Sequence, residues 1–153
     1  MATGRKRLQQ SANSDAREIF GSAMSDAADW VDDLLVRLGW QHRETALLAL
    51  RATLHALRDH LPVDEAVHLG GDLPLVLRGL YYDGWHPATK PLALPDRQTF
   101  LERVHAGVHR DPGIDAEQVA RNVFALLAER ISDVEVQDVK AVLPEVLRGL
   151  WPD

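Results

Sequence analysis

Apolar residues recur at helical spacing through most of this chain. Trp30, Leu34 and Leu38 are spaced four residues apart, and Val31 and Leu35 widen them into one apolar helix face. Leu47, Leu50, Leu54, Leu57 and Leu61 alternate steps of three and four, the signature of a strongly amphipathic helix. The same steps return in Ala120, Phe124, Leu127 and Ile131. No run of comparable length alternates apolar and polar residues with the period of two that a half-buried strand requires. The pattern predicts an all-α protein.

The breaks in the pattern predict where helices begin and end. Pro62 suits the first position of a helix, and Ser132 with Glu135 forms a capping-box pattern at the matching place further on. Pro74 and Pro144 remove a donor that an interior turn needs, so a short helix, a kink and a last helix are expected around each. Residues 83–97 hold three prolines and one glycine and read as a semi-rigid linker in which Trp85 and Leu92 can dock. Residues 1–24, polar and interspersed with Ser, Asn and Gly, read as a flexible basic tail.

The two halves are related. Leu73-Pro74-Leu75-Val76-Leu77-Arg78-Gly79-Leu80 matches Leu143-Pro144-Glu145-Val146-Leu147-Arg148-Gly149-Leu150 at seven of eight positions, 70 residues apart. The same offset carries Trp30, Leu34 and Leu38 onto Phe100, Val104 and Val108 without a gap. A self-match at fixed period marks a duplicated structural unit. One unit alone would have a marginal core. The expected architecture is therefore a tandem pseudo-twofold repeat of a four-segment helical unit packed as one helical bundle. Its single domain covers residues 25–152, with repeat 1 at 26–82, the linker at 83–97 and repeat 2 at 98–152.

Composition narrows the function classes. The 153 residues are 46% hydrophobic and 26% charged, close to globular averages. The absence of cysteine excludes disulfides, thiolate metal sites and cysteine nucleophiles. Purely apolar runs such as residues 46–50 are far short of the roughly 20 that span a bilayer. Arg5, Lys6 and Arg7 are followed by no apolar stretch of the kind a secretory signal carries, so a cytoplasmic location is expected. Residues 1–24 are net +2 within a chain of net −6, leaving an acidic body of about −8. Such a body repels phosphate backbones, and nucleic acid is expected to bind only through the basic tail, if at all.

Candidate chemistry is sparse. His105 and His109 have the i, i+4 spacing that puts two imidazoles on one helix face. No Glu follows His105, and the 70-residue offset places His105 against Leu35 on an apolar stripe, which favours a hydrogen-bonded structural histidine over a metal ligand. There is no nucleophile elbow, no phosphate-binding glycine loop and no catalytic triad to assign. Arg78 and Arg148 occupy equivalent places in the two Leu-Pro elements. They are expected either to pair with acids such as Asp72 and Glu145 or to line a groove for an anionic partner. Trp85, in the linker, either finishes the core or marks a contact surface.

The Leu73-Pro74 element leading into Arg78-Gly79-Leu80-Tyr81-Tyr82-Asp83-Gly84-Trp85, then Pro87, Phe100 and Val104, resembles domain-of-unknown-function family 2267, a bacterial and archaeal group of helical proteins. The resemblance covers about residues 26–151. Gly71-Asp72 stands before Leu73 where related members carry Gln directly ahead of Leu-Pro. The resemblance implies the duplicated helical fold and carries over no established activity, and occasional fusions of relatives to nucleotide-sensing modules suggest, by analogy, an adaptor or regulatory role. The expected function is a non-enzymatic protein-interaction or scaffold module with no cofactor and no metal, acting on a protein partner or on itself. Arg78, Arg148 and Trp85 are its candidate binding residues. The alternative is a small-molecule-binding or enzymatic domain with a pocket at the pseudo-twofold axis.

Overall fold

The structure, a computed structural model, describes residues 2–93 and 96–153. Eight α-helices and no strand occur among the described residues: α1 (Ala2–Leu38), α2 (Arg43–His60), α3 (Val63–Asp72), α4 (Leu75–Tyr82), α5 (Arg97–Gly107), α6 (Ala116–Arg130), α7 (Asp133–Val142) and α8 (Glu145–Arg148). The all-α expectation holds. Between α4 and α5 the chain makes one 3-10 turn, Pro87–Thr89, and Leu92 donates its backbone N–H to Asp59 O at 2.8 Å. Two residues of this expected linker, Leu94 and Pro95, lie outside the described residues.

Local chemistry accounts for the boundaries. Asp96, Asp115 and Ser132 cap α5, α6 and α7 by accepting backbone N–H groups of the first turn. Pro62 stands one residue ahead of α3, at its N-cap and not inside its first turn. Pro74 and Pro144, both extended, separate α3 from α4 and α7 from α8 as their missing donors require. Gly39, at φ +68, ends α1 in the left-handed region that glycine enters without strain.

Residues 2–24, expected as a flexible basic tail outside the helical body, continue α1 as regular helix. Their Ser, Asn and Gly residues weaken a helix without forbidding one that is nucleated by the packed turns after Ala27. The helix carrying His105 stops at Gly107, and His109 adopts φ +59 beyond its end. The two imidazoles therefore do not share a helix face. His105 Nε2 instead lies 2.7 Å from Asp111 O in the turn that follows.

The core runs through both halves of the chain. Leu34 of α1, Leu50, Leu54 and Leu57 of α2, Tyr81 of α4, Phe100 of α5 and Phe124 and Leu127 of α6 are buried together. Helices α2 and α5 approach closely because Gly107 faces Ala52; a Cβ at residue 107 would also come within 3.1 Å of the Ala52 Cα. Phe124 stacks on Trp151 at 4.4 Å between ring centroids, so the last residues of the chain close the core.

Polar ties hold α1 to α6. Asp33 accepts from Arg37 at 2.8 Å and from Arg130 at 3.1 Å, Arg37 also pairs with Glu129, and the Arg130 guanidinium lies 5.6 Å from the centroid of the Trp30 ring. Burial disfavours the Asp33 charge, but the hydrogen bonds and positive charges of Arg37 and Arg130 outweigh it and hold the carboxyl below the ordinary aspartate range. Helix α3 packs against α7, bringing together two ten-residue helices that start 70 residues apart.

Candidate functional site

The two arginines of the repeated element have different roles. The Arg78 guanidinium donates to Gly70 O at 2.9 Å, Gly71 O at 3.2 Å and Leu73 O at 3.0 Å. These carbonyls lie at the end of α3, where the helix runs out of donors, and Gly70 O also accepts from the Leu73 N–H at 3.2 Å. Arg78 is thus a C-terminal clamp on α3, and it does not pair with Asp72. Arg148 is exposed and makes no side-chain hydrogen bond among the described residues, with Glu145 or any other group. The copies differ because α8 has only four residues, and Gly149 O is taken by Arg121 at 2.9 Å.

Arg58, buried at 3% exposure, does for α4 what Arg78 does for α3. Its guanidinium pairs with Asp59 and donates to Tyr81 O at 2.6 Å and Asp83 O at 2.9 Å. Trp85 is half-buried against Tyr82, with ring centroids 5.5 Å apart, and its indole N–H is enclosed without a partner. Arg78 also borders a polar cleft of about 410 Å³ whose other charged walls are Asp26, Asp29, Asp72 and Arg130. Both cations of that cleft are already hydrogen-bonded within the fold.

Where α3 meets α7, the carboxyls of Glu65 and Glu135 lie within hydrogen-bonding reach of each other. One oxygen of each is buried and has no other partner. Glu135 is only 7% exposed. Burial first, then the hydrogen bond and charge of Glu65 and the charges of Asp72 and Asp138, push the Glu135 carboxyl up to about 8. A protonated Glu135 carboxyl can donate to Glu65.

The expected capping box explains how Glu135 is free to take this position. Ser132 Oγ accepts from the Glu135 N–H at 3.2 Å, but Asp72 of α3 takes the return half of the box, accepting from Ser132 N at 3.3 Å and Ser132 Oγ at 2.9 Å. The sequence reasoning missed this pair. The available signal was the 70-residue offset, which carries Glu65 onto Glu135.

Two apolar grooves lie along α1 and α5. A groove of about 520 Å³ is walled by Met24 and Val31 of α1, Leu47 of α2 and Val76 and Leu80 of α4. A second, of about 560 Å³, lies between α5 and the start of α6 and is walled by Leu101, His105, Ile114 and Ala116. The first groove adjoins the free part of α1. Between Thr3 and Asp26 only Ala16 and Ala23 are partly buried, and Ile19, Phe20 and Met24 are 62%, 66% and 62% exposed. Leu75, at the start of α4 beside Ala23, is exposed as well.

No group of three or more His, Asp or Glu side chains among the described residues is placed to hold a metal ion. No described helix is long and apolar enough to cross a membrane. Fold and surface together define an all-helical protein whose distinctive features are a buried carboxyl pair and an uncovered apolar helix face. The chain belongs to the DUF2267 family, described as an uncharacterized conserved protein, whose pattern matches residues 27–150. The free part of α1 lies ahead of that match. No curated protein matches the chain.

Proposed function

We propose that this chain is a non-enzymatic protein-interaction module, a scaffold or regulatory piece acting in the cytoplasm. Its body is read as a tandem repeat about an internal pseudo-twofold axis, packed as one bundle. The equal lengths of α3 and α7, their 70-residue spacing and their mutual packing support that reading. The observation that carries the interaction function is the apolar surface at the α1–α4 edge, where Ile19, Phe20 and Met24 lead into the groove beside Val76. Isolated exposed apolar residues are ordinary; a contiguous strip opening into a groove is what a partner helix covers.

Arg148 and Trp85 belong to this reading as secondary contacts: Arg148 is exposed, and Trp85 offers a half-buried ring next to exposed His86. Arg78 supports the surface from behind by holding α3 beside α4. The rival reading, a small-molecule pocket, draws on the polar cleft at Arg78 and Arg130. Val76→Glu separates the two. It is expected to abolish cross-linking to a protein partner or to a second copy while leaving the melting temperature within a few degrees. A chain that cross-links to no protein, and whose melting temperature a metabolite raises by several degrees, would instead establish the pocket.

A further inference from the structure

The geometry points to a second copy of this chain as the occupant of the exposed face of α1, the two helices lying antiparallel. This rests on the interaction reading above and names its partner. The first part of α1 makes a poor helix on its own. It contains Gly4, Gly21, Ser11, Asn13, Ser14 and Ser22, and an isolated helix of this length is marginal even in favourable sequences. Of residues Thr3 to Ser22 only Ala16 is partly buried, although Asp15 to Ser22 flank Pro74 and Leu75 across an open cleft. The turns ahead of that cleft, from Thr3 to Ser14, therefore project roughly 18 Å at 1.5 Å per residue.

Yet the face it presents is patterned. Ala12, Ala16, Ile19 and Ala23 step by four, three and four, and the same steps continue into Ala27, Trp30 and Leu34, which are buried in the bundle. A seam with this repeat is what a facing helix packs into. The part of the seam outside the bundle is self-complementary when reversed about the midpoint between Arg17 and Glu18. Ala12 then meets the partner's Ala23, and Ala16 meets the partner's Ile19, so each layer includes an alanine and the backbones approach closely.

Charge selects the antiparallel direction. Residues 1–24 are net +2 and the rest of the chain about −8. Asp26 and Asp29 make no ion pair among the described residues. An antiparallel pair lays Arg5, Lys6 and Arg7 of each copy beside this acidic stretch of the other, whereas a parallel pair sets the basic clusters against each other. The apolar groove at Met24 and Val76 lies alongside, where the partner's first turns arrive.

The absence of native cysteine makes the test direct, since one introduced thiol has only its counterpart to react with. Ala16→Cys places two thiols about 4.5 Å apart along the helix axis in the antiparallel pair, while Leu8→Cys separates them by about 28 Å, beyond disulfide reach. The full-length chain is expected to sediment as a dimer at about 100 µM, a concentration that populates a micromolar complex. Under mild oxidation, Ala16→Cys is expected to give a covalent dimer and Leu8→Cys a monomer. Ala16→Glu is expected to weaken dimerisation at least about 30-fold by burying a charge at the crossing. Its melting temperature should hardly move, because Ala16 lies outside the bundle core.

A wild-type chain that stays monomeric at that concentration overturns the inference, and so does equal cross-linking through residues 8 and 16. A monomer that instead sediments with duplex DNA or with anionic vesicles overturns it by giving the basic face another occupant. If the chain is monomeric but Val76→Glu abolishes capture of a different protein, only the self-pairing falls. If a metabolite alone stabilises it, the interaction reading falls too.

Discussion

A carboxyl group that keeps its proton in the folded state makes a protein sensitive to alkali. Glu135 in the fold holds its proton up to about 8, whereas an ordinary glutamate releases it near 4.5. Its folded-state value is raised, so the stability it contributes is fully present below the ordinary value and is lost as pH rises through that window. Above it, Glu65 and Glu135 repel across the α3–α7 contact, with Asp72 and Asp138 adding negative charge. His55 and His60 act at the opposite end. Burial holds both below the ordinary histidine value, so their contribution is lost as pH falls below about 6.5. Glu135→Gln keeps the hydrogen bond to Glu65 and removes the titration. Urea unfolding from pH 6 to pH 9 is expected to show the wild type losing stability and the variant nearly flat, with the variant ahead by about 1–3 kcal/mol at pH 9. Parallel curves for the two proteins would mean that Glu135 does not keep its proton in the fold.

Helix ends show why residues that look equivalent have unequal weight. Arg78 satisfies three carbonyls at the end of α3, while Arg148 satisfies none among the described residues. Charged hydrogen bonds of this kind contribute about 1.5–3 kcal/mol. Arg78→Ala is therefore expected to lower unfolding stability by about 2 kcal/mol or more, and Arg148→Ala by less than about 0.5 kcal/mol, the usual range for an exposed side chain. Chemical denaturation of the two variants measures the contrast, and equal losses would contradict it. The buried stripes of α2 and α6 were legible because apolar periodicity is a local property of sequence. The arginine clamps were not, because a guanidinium reaches carbonyls that only the fold brings near: Arg58 meets Tyr81 O across 23 residues. The carboxyl pair lay halfway between. Its two members match at the repeat offset, but Glu135 was read as half of a capping box whose other half Asp72 supplies from α3.

Across the whole chain, the bundle is built from both halves and from the closing Trp151, while α1 runs out of it in the other direction. The polar first residues read as a flexible tail because Ser, Asn and Gly interrupt them, but a helix already formed from Ala27 onward spares them the cost of nucleation. Whether they stay helical in solution depends on what covers them. Amide hydrogen exchange of the full-length chain at about 2 µM and about 200 µM reads this residue by residue, since uncovered turns open at almost no cost and paired ones do not. Amides from Leu8 to Ala23 are expected to exchange freely in the dilute sample and to be protected at least about tenfold in the concentrated one, with the bundle amides of α2 and α6 unchanged. Equal, unprotected exchange from Leu8 to Ala23 at both concentrations would contradict the proposal that this face of α1 is where the protein meets a copy of itself.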